Sequence, residues 1–222
     1  MSKSRGYIFI HGAWHNSGTW AEVKPRLVKE GHLVQAVDLP GAGPNASEPD
    51  SLTRRPFDPD AFATEPSPNA SVTQRERTDA VIDVVRDINS QTGGKAILVG
   101  HSLGGLTVSH VAEEIPEEIG AVVYLTAMML PNGMSALEVS KEVAVADEML
   151  PSLICANPNT VGAMRLNTRS EDSNYRARMK ECFYGDVDQV TFDRVSKSLH
   201  CAVPAQVLIE PLYGGAVAFP LD

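Results

Sequence analysis

Cysteine is scarce in this chain. Cys155, Cys182 and Cys201 are widely spaced and form no C-x-x-C pair, which argues against a disulfide framework or a zinc site and for reduced, mostly buried thiols. Long apolar runs are missing too, none approaching the roughly 20 residues of a membrane span. Basic charge is short: 19 Lys and Arg against 28 Asp and Glu leave a net charge of −9. That balance repels phosphate backbones and anionic lipid, and no basic block interrupts it, so neither nucleic acid nor a membrane is an expected partner. The first six residues pass straight into a strand-like run at 7–10, leaving no room for a signal-peptide apolar region, and a cytoplasmic location is the expectation. What is present is ordinary globular usage, 43% apolar and 21% charged over 222 residues. One domain spanning 1–222 is expected.

Apolar runs at 7–10, 33–37, 96–99 and 121–125 lack polar alternation, as strands buried on both faces of a parallel sheet do. Helical patterns lie between them. Thr19 to Glu22 fits a capping box, with Trp20, Val23, Leu27 and Val28 following at helical spacing, and Thr73 to Glu76 fits another. Behind the second box, Ala80, Val81, Val84, Val85 and Ile88 share one face. Gly31 and the Gly93-Gly94 pair sit where helix C-caps are wanted. The alternation predicts an α/β fold, a doubly wound, mostly parallel sheet covered by helices.

Two segments break the pattern. Residues 54–68, with four prolines, read as a long surface loop. Residues 131–203 carry helical patterns at 138–149 and 173–183 and no clear buried strand, and read as a helical cap over the strand ends, where open α/β sheets place their ligands.

Between a strand and a helix stands Gly100-His101-Ser102-Leu103-Gly104. A G-x-S-x-G arises by chance in roughly one chain in a dozen of this size. The strand–turn–helix setting makes it specific, because Gly100 and Gly104 permit a turn tight enough to lift the Ser102 hydroxyl out at the strand end, and Gly105 lets the helix pack close. Such a nucleophile needs two donors for a developing oxyanion, and the backbone N–H groups of Leu103 and of Ala13, in the loop after the first strand, are the candidates.

In order and spacing, IFIHGAWHNSGTW, HLVQAVDLPGAG, ILVGHSLGGLTVSHVAE and AVVYLTAMMLPNGMS resemble the α/β-hydrolase superfamily, specifically its branch of plant methylesterases, hydroxynitrile lyases and related bacterial esterases. The resemblance covers roughly residues 6–140. It implies Ser102 as the nucleophile on an ester carbonyl, with a histidine held by an aspartate as general base and acid. His15 and Trp20 fall where the family has a histidine and a tryptophan. The lyase members carry a threonine where Gly12 stands, which favours ester hydrolysis over cyanohydrin cleavage.

The family's order of serine, acid, histidine is not completed. After Ser102 only His110 and His200 remain. His110 is eight positions along the following helix, about 12 Å away by helix rise. His200, at the end of the cap segment, is the tentative base. The tail from 203 reads either as the last of the cap loop or as an acid-bearing strand at 206–209, with Glu210 and Asp222 its acids. His11, Gly12, Trp14, Met128 and Met129 are the tentative pocket for a small apolar ester. No metal or cofactor is called for. A homodimer is possible, since a shortened sheet leaves an unpaired edge. The alternatives to a serine carboxylesterase are a non-catalytic relative that binds a small molecule and a lyase of the same fold.

Overall fold

The structure, a computed structural model, describes residues 4–142 and 149–213. Four strands, β1 (Gly6–Ile10), β2 (Leu33–Val37), β3 (Ala96–His101) and β4 (Ile119–Leu125), form one parallel sheet in the order β2-β1-β3-β4. β1 pairs with both β2 and β3, and Phe9 lies beside Val99 in register.

Between the strands run α1 (Lys24–Lys29), α2 (Asp50–Thr53), α3 (Pro59–Thr64), α4 (Gln74–Thr92) and α5 (Gly104–Glu114). α4 and α5 cover one face, packing Val81, Val85, Ile88, Val108 and Val111 on Ile8, Ile10 and Leu98. On the other face Trp20 and Leu27 pack on Phe9, Val34 and Val99. α4 opens on the expected capping box: Thr73 Oγ1 accepts from the Glu76 amide, and the Glu76 carboxylate accepts from the Thr73 amide at 2.8 Å. It closes on Gly93 in the left-handed conformation.

Several local expectations are corrected. The Thr19–Glu22 box opens no helix. Residues 17–20 form a short 3-10 turn capped by Asn16, and α1 starts only at Lys24, because Pro25 has no amide to give and its ring would clash with the carbonyl four residues back in a longer helix. The segment 54–68 is not all loop, since Asp58 caps α3 by accepting from the amides of Asp60 and Ala61. The segment 131–203 does contain strands. β5 (Ala163–Arg165) and β6 (Ala202–Pro204) pair antiparallel and are almost wholly buried, but at three residues each they are too short to carry a periodicity.

Around that pair lie α6 (Ala136–Glu142), α7 (Pro158–Val161), α8 (Ser173–Tyr184), α9 (Gln189–Val195) and α10 (Ala205–Ile209). α8 matches the expected 173–183. Of the expected 138–149 helix, α6 is found, opened by Ser135 and Glu138, whereas 143–148 lie outside the described residues. Residues 206–209 are helix, not strand, and Glu210 accepts from the Gln74 amide at the start of α4 (3.1 Å). Asp222 lies outside the described residues. None of the three cysteines is in a disulfide. Among the described residues no helix is long and apolar enough to cross a membrane.

Candidate active site

The turn between β3 and α5 is built by exclusion of side chains. A Cβ on Gly100 would lie 2.9 Å from the Gly104 carbonyl oxygen, and one on Gly104 would lie 2.7 Å from the carbonyl oxygens of Ile10 and His11. With both positions bare, the chain turns sharply enough to hold Ser102 at φ 51. The Ser102 carbonyl ties the turn down, accepting from the amides of Gly105 and Met128, each at 3.0 Å.

Among the described residues, three non-glycines have positive φ: Trp14 (58), Ser102 (51) and Thr126 (44). All three line one cavity of ≈ 450 Å³. A β-branched residue such as Thr126 is held in that region only where its surroundings dictate it, and strain of this kind clusters at functional sites. The cavity sits at the C-terminal ends of the strands. Gly12, Ala13 and His15 from the first turn, His101 beside the serine, and Phe183 and Tyr184 from the end of α8 complete most of its wall. Ser102 lies two residues before α5, whose dipole favours negative charge there. The amides of Ala13 and Leu103 have no acceptor among the described residues.

The histidines are fixed differently. His15 Nδ1 donates to the Ala13 carbonyl (2.6 Å), so Nε2 accepts from the Tyr184 hydroxyl (2.7 Å). Burial lowers its pKa, and that of His101 as well. His101 Nδ1 is buried without a partner among the described residues. Among those residues no histidine is hydrogen-bonded to Ser102 Oγ.

Of the pocket residues expected from sequence, Gly12 and Trp14 line this cavity. His11, Met128 and Met129 do not. His11 is 2% exposed and lies behind the turn, with Nε2 accepting from the Leu39 amide and Nδ1 donating to the Gly12 carbonyl. Met128 packs beside Leu103 and Leu106, and Met129 is half exposed. Nor does the structure bring His200 to Ser102. Its Nε2 accepts from the Gly43 amide (2.9 Å), Nδ1 faces the Glu48 carboxylate (3.3 Å), and it is not part of the cavity wall. Tyr184, Phe183 and Thr126 went unnoticed in the sequence; the aromatic pair ending α8 was their one visible signal. No group of three His, Cys, Asp or Glu among the described residues is arranged to hold a metal.

A strained serine on a strand–turn–helix at the end of a parallel sheet invites comparison with known proteins, and the profile of the alpha/beta hydrolase family matches residues 7–218. The chain belongs to the α/β-hydrolase family. Within it, the chain is 28% identical over 153 residues to salicylic acid-binding protein 2 of Nicotiana tabacum, covering 68% of this chain and 51% of that protein. It is 29% identical over 165 residues to polyneuridine aldehyde esterase of Rauvolfia serpentina (72% and 54%), and 30% identical over 127 residues to methylesterase 1 of Arabidopsis thaliana (57% and 41%). The chain thus spans about half the length of these relatives. Its fold matches a pyrethroid hydrolase from Sphingobium faniae JZ-2 with TM-score 0.65 at 21% identity, over 94% of this chain and 71% of the other. An extracellular alpha/beta-hydrolase from a Paenibacillus species matches with TM-score 0.62, also at 21% identity, over 94% and 71%. At Gly12 a Cβ would lie 2.9 Å from Ser102 Cβ and 3.2 Å from His101 Nδ1, so any side chain there requires a neighbour to shift.

Proposed function

We propose that the chain is a serine carboxylesterase-like hydrolase that acts on a small apolar ester through an acyl-enzyme on Ser102, with residues from about 131 to 203 serving as its cap. The observation that carries this reading is the convergence of Trp14, Ser102 and Thr126, all strained, on one cavity. Ser102 Oγ attacks the ester carbonyl carbon as its proton passes to water, and the carbonyl electrons move onto oxygen, to which the Ala13 and Leu103 amides donate. Collapse expels the alkoxide, which takes a proton from the solvent, and water then attacks the acyl carbon, releasing the acid and returning a proton to Ser102 Oγ. Trp14, Phe183, Tyr184 and Val195 make the wall largely apolar, and ≈ 450 Å³ suits a small ester. Relatives named as esterases support the same class.

His200 enters this reading only by releasing Gly43 and Glu48. Without a base, such sites lose on the order of 10⁴ to 10⁶ in turnover while retaining the contributions of binding and the oxyanion donors. That Gly43 and Glu48 hold His200 away from the serine favours a second reading, a relative that binds small molecules without turning them over. Purified chain and Ser102→Ala are compared with p-nitrophenyl acetate and a fluorophosphonate. Ser102-dependent labelling with turnover supports the esterase, and ligand binding with neither supports the second reading. Turnover unchanged in His200→Ala removes His200 as the base.

The proposal extends to a homodimer. Among the described residues β4 has one edge with no strand partner, and Val123 and Leu125 on it are 44% and 47% exposed. A second copy pairing there would cover both.

A further inference from the structure

A second cavity, of ≈ 750 Å³, shares no lining residue with the Ser102 site. It lies between the segment before α3, the chain after β5, and α8. Its apolar wall is aromatic: Phe57 and Phe62 have ring centroids 5.5 Å apart, and Tyr175 contributes a third ring.

Arg55, Arg169 and Arg178 also line it, beside the carboxylates Glu171 and Asp172. The carboxylates are occupied. Glu171 holds Arg55 at 3.1 Å, and Asp172 caps α8 by accepting from the Tyr175 amide at 2.7 Å. Arg169 and Arg178 are left with no carboxylate partner among the described residues, and the Arg178 guanidinium lies 5.7 Å from the centre of the Tyr175 ring. In a chain of net charge −9, two unneutralised arginines at an aromatic cavity are a local reversal of sign.

Asn167 adds an open hydrogen-bond donor to this wall. It is 8% exposed and lines the cavity. Its Oδ1 accepts from the Arg169 amide (3.2 Å) and its own amide donates to the Tyr175 hydroxyl (3.0 Å), which leaves the two Nδ2 protons without a partner among the described residues. That nitrogen is not sealed from solvent, so a ligand oxygen in the cavity takes the place of water on it.

We propose that this cavity binds a small aromatic molecule carrying an oxyanion, its ring against Phe57, Phe62 and Tyr175 and its oxygens on Arg169, Arg178 and Asn167 Nδ2. Charge-assisted bonds from guanidinium groups are strong and directional, and the aromatic wall selects a flat ring over a bare anion.

The test is isothermal titration of the full chain with 2-naphthoate and 2-naphthyl phosphate, against 2-naphthol and inorganic phosphate. Both naphthyl anions are expected to bind at one site, with naphthol and phosphate at least tenfold weaker, and the ratio of the two anions tells a carboxylate site from a phosphate site. Arg178→Gln, at an exposed position that leaves the fold intact, is expected to weaken binding about tenfold. Asn167→Asp keeps the acceptor for Arg169 but replaces the free donor with a charged oxygen, and is expected to abolish binding. Ser102→Ala binds as the unaltered chain does, which separates this result from the fate of the esterase reading. No binding by either anion, equal binding of naphthol, or indifference to Arg178→Gln overturns the proposal.

Discussion

Gly105 lies against backbone: a Cβ there would lie 2.1 Å from the Met128 carbonyl oxygen, which no side-chain rotation relieves. Gly105→Ala is expected to destabilise the fold by about 1–3 kcal/mol, read as a lower urea midpoint, and to cut fluorophosphonate labelling of Ser102. Gly31→Ala is the contrast. Nothing lies within 4 Å of its Cβ position, so only the backbone strain at φ +88 opposes it, about 1 kcal/mol. His11 sets a pH dependence. Burial lowers its pKa from 6.5 to about 4, so between those values the unfolded chain takes up a proton that the folded chain refuses. Stability therefore falls as pH drops from 6.5 towards 4, by up to about 3 kcal/mol from this residue. His15, His101 and His110 are lowered by burial too and act in the same direction. Denaturation midpoints measured at pH 7.0 and 4.5 should show this slope, and His11→Gln should flatten it.

At the level of elements, α4 depends on its first turn. Thr73→Ala removes the acceptor for the Glu76 amide and is expected to cost about 1 kcal/mol, measured by chemical denaturation, whereas Thr73→Ser should cost little. This element was legible in the sequence because its signals are local: a box at one end, glycine at the other, a five-residue apolar face between. The turn around Ser102 was legible for a related reason, since its glycines answer to contacts within one strand–turn–helix unit. β5 and β6 were not, because three-residue strands are made by tertiary partners rather than pattern. α1 was misplaced by reading Thr19 and Glu22 without weighing Pro25. The positions of His200 and Met128 depend on how the segment beyond 131 folds back, and nothing in their own neighbourhood encodes that.

Across the whole molecule, the sheet is covered unevenly. α4 and α5 seal one face, but on the other the alternate side chains of β4, Val123 and Leu125, stay half exposed where Phe9 and Val99 are covered by Trp20. If two copies pair along β4, sedimentation velocity should show a dimer that Val123→Lys converts to monomer; a monomer at all concentrations overturns the pairing. The two tryptophans are distributed just as unevenly. Trp14 walls the Ser102 cavity 5.5 Å from the Phe183 ring, and Trp20 stands edge-on to His101 at 6.3 Å. With 2 tryptophans in the chain, one in the wall of the Ser102 cavity and the other against His101 beside it, and neither at the arginine-lined cavity, the protein's ultraviolet emission is a built-in optical gauge of one site and dark to the other.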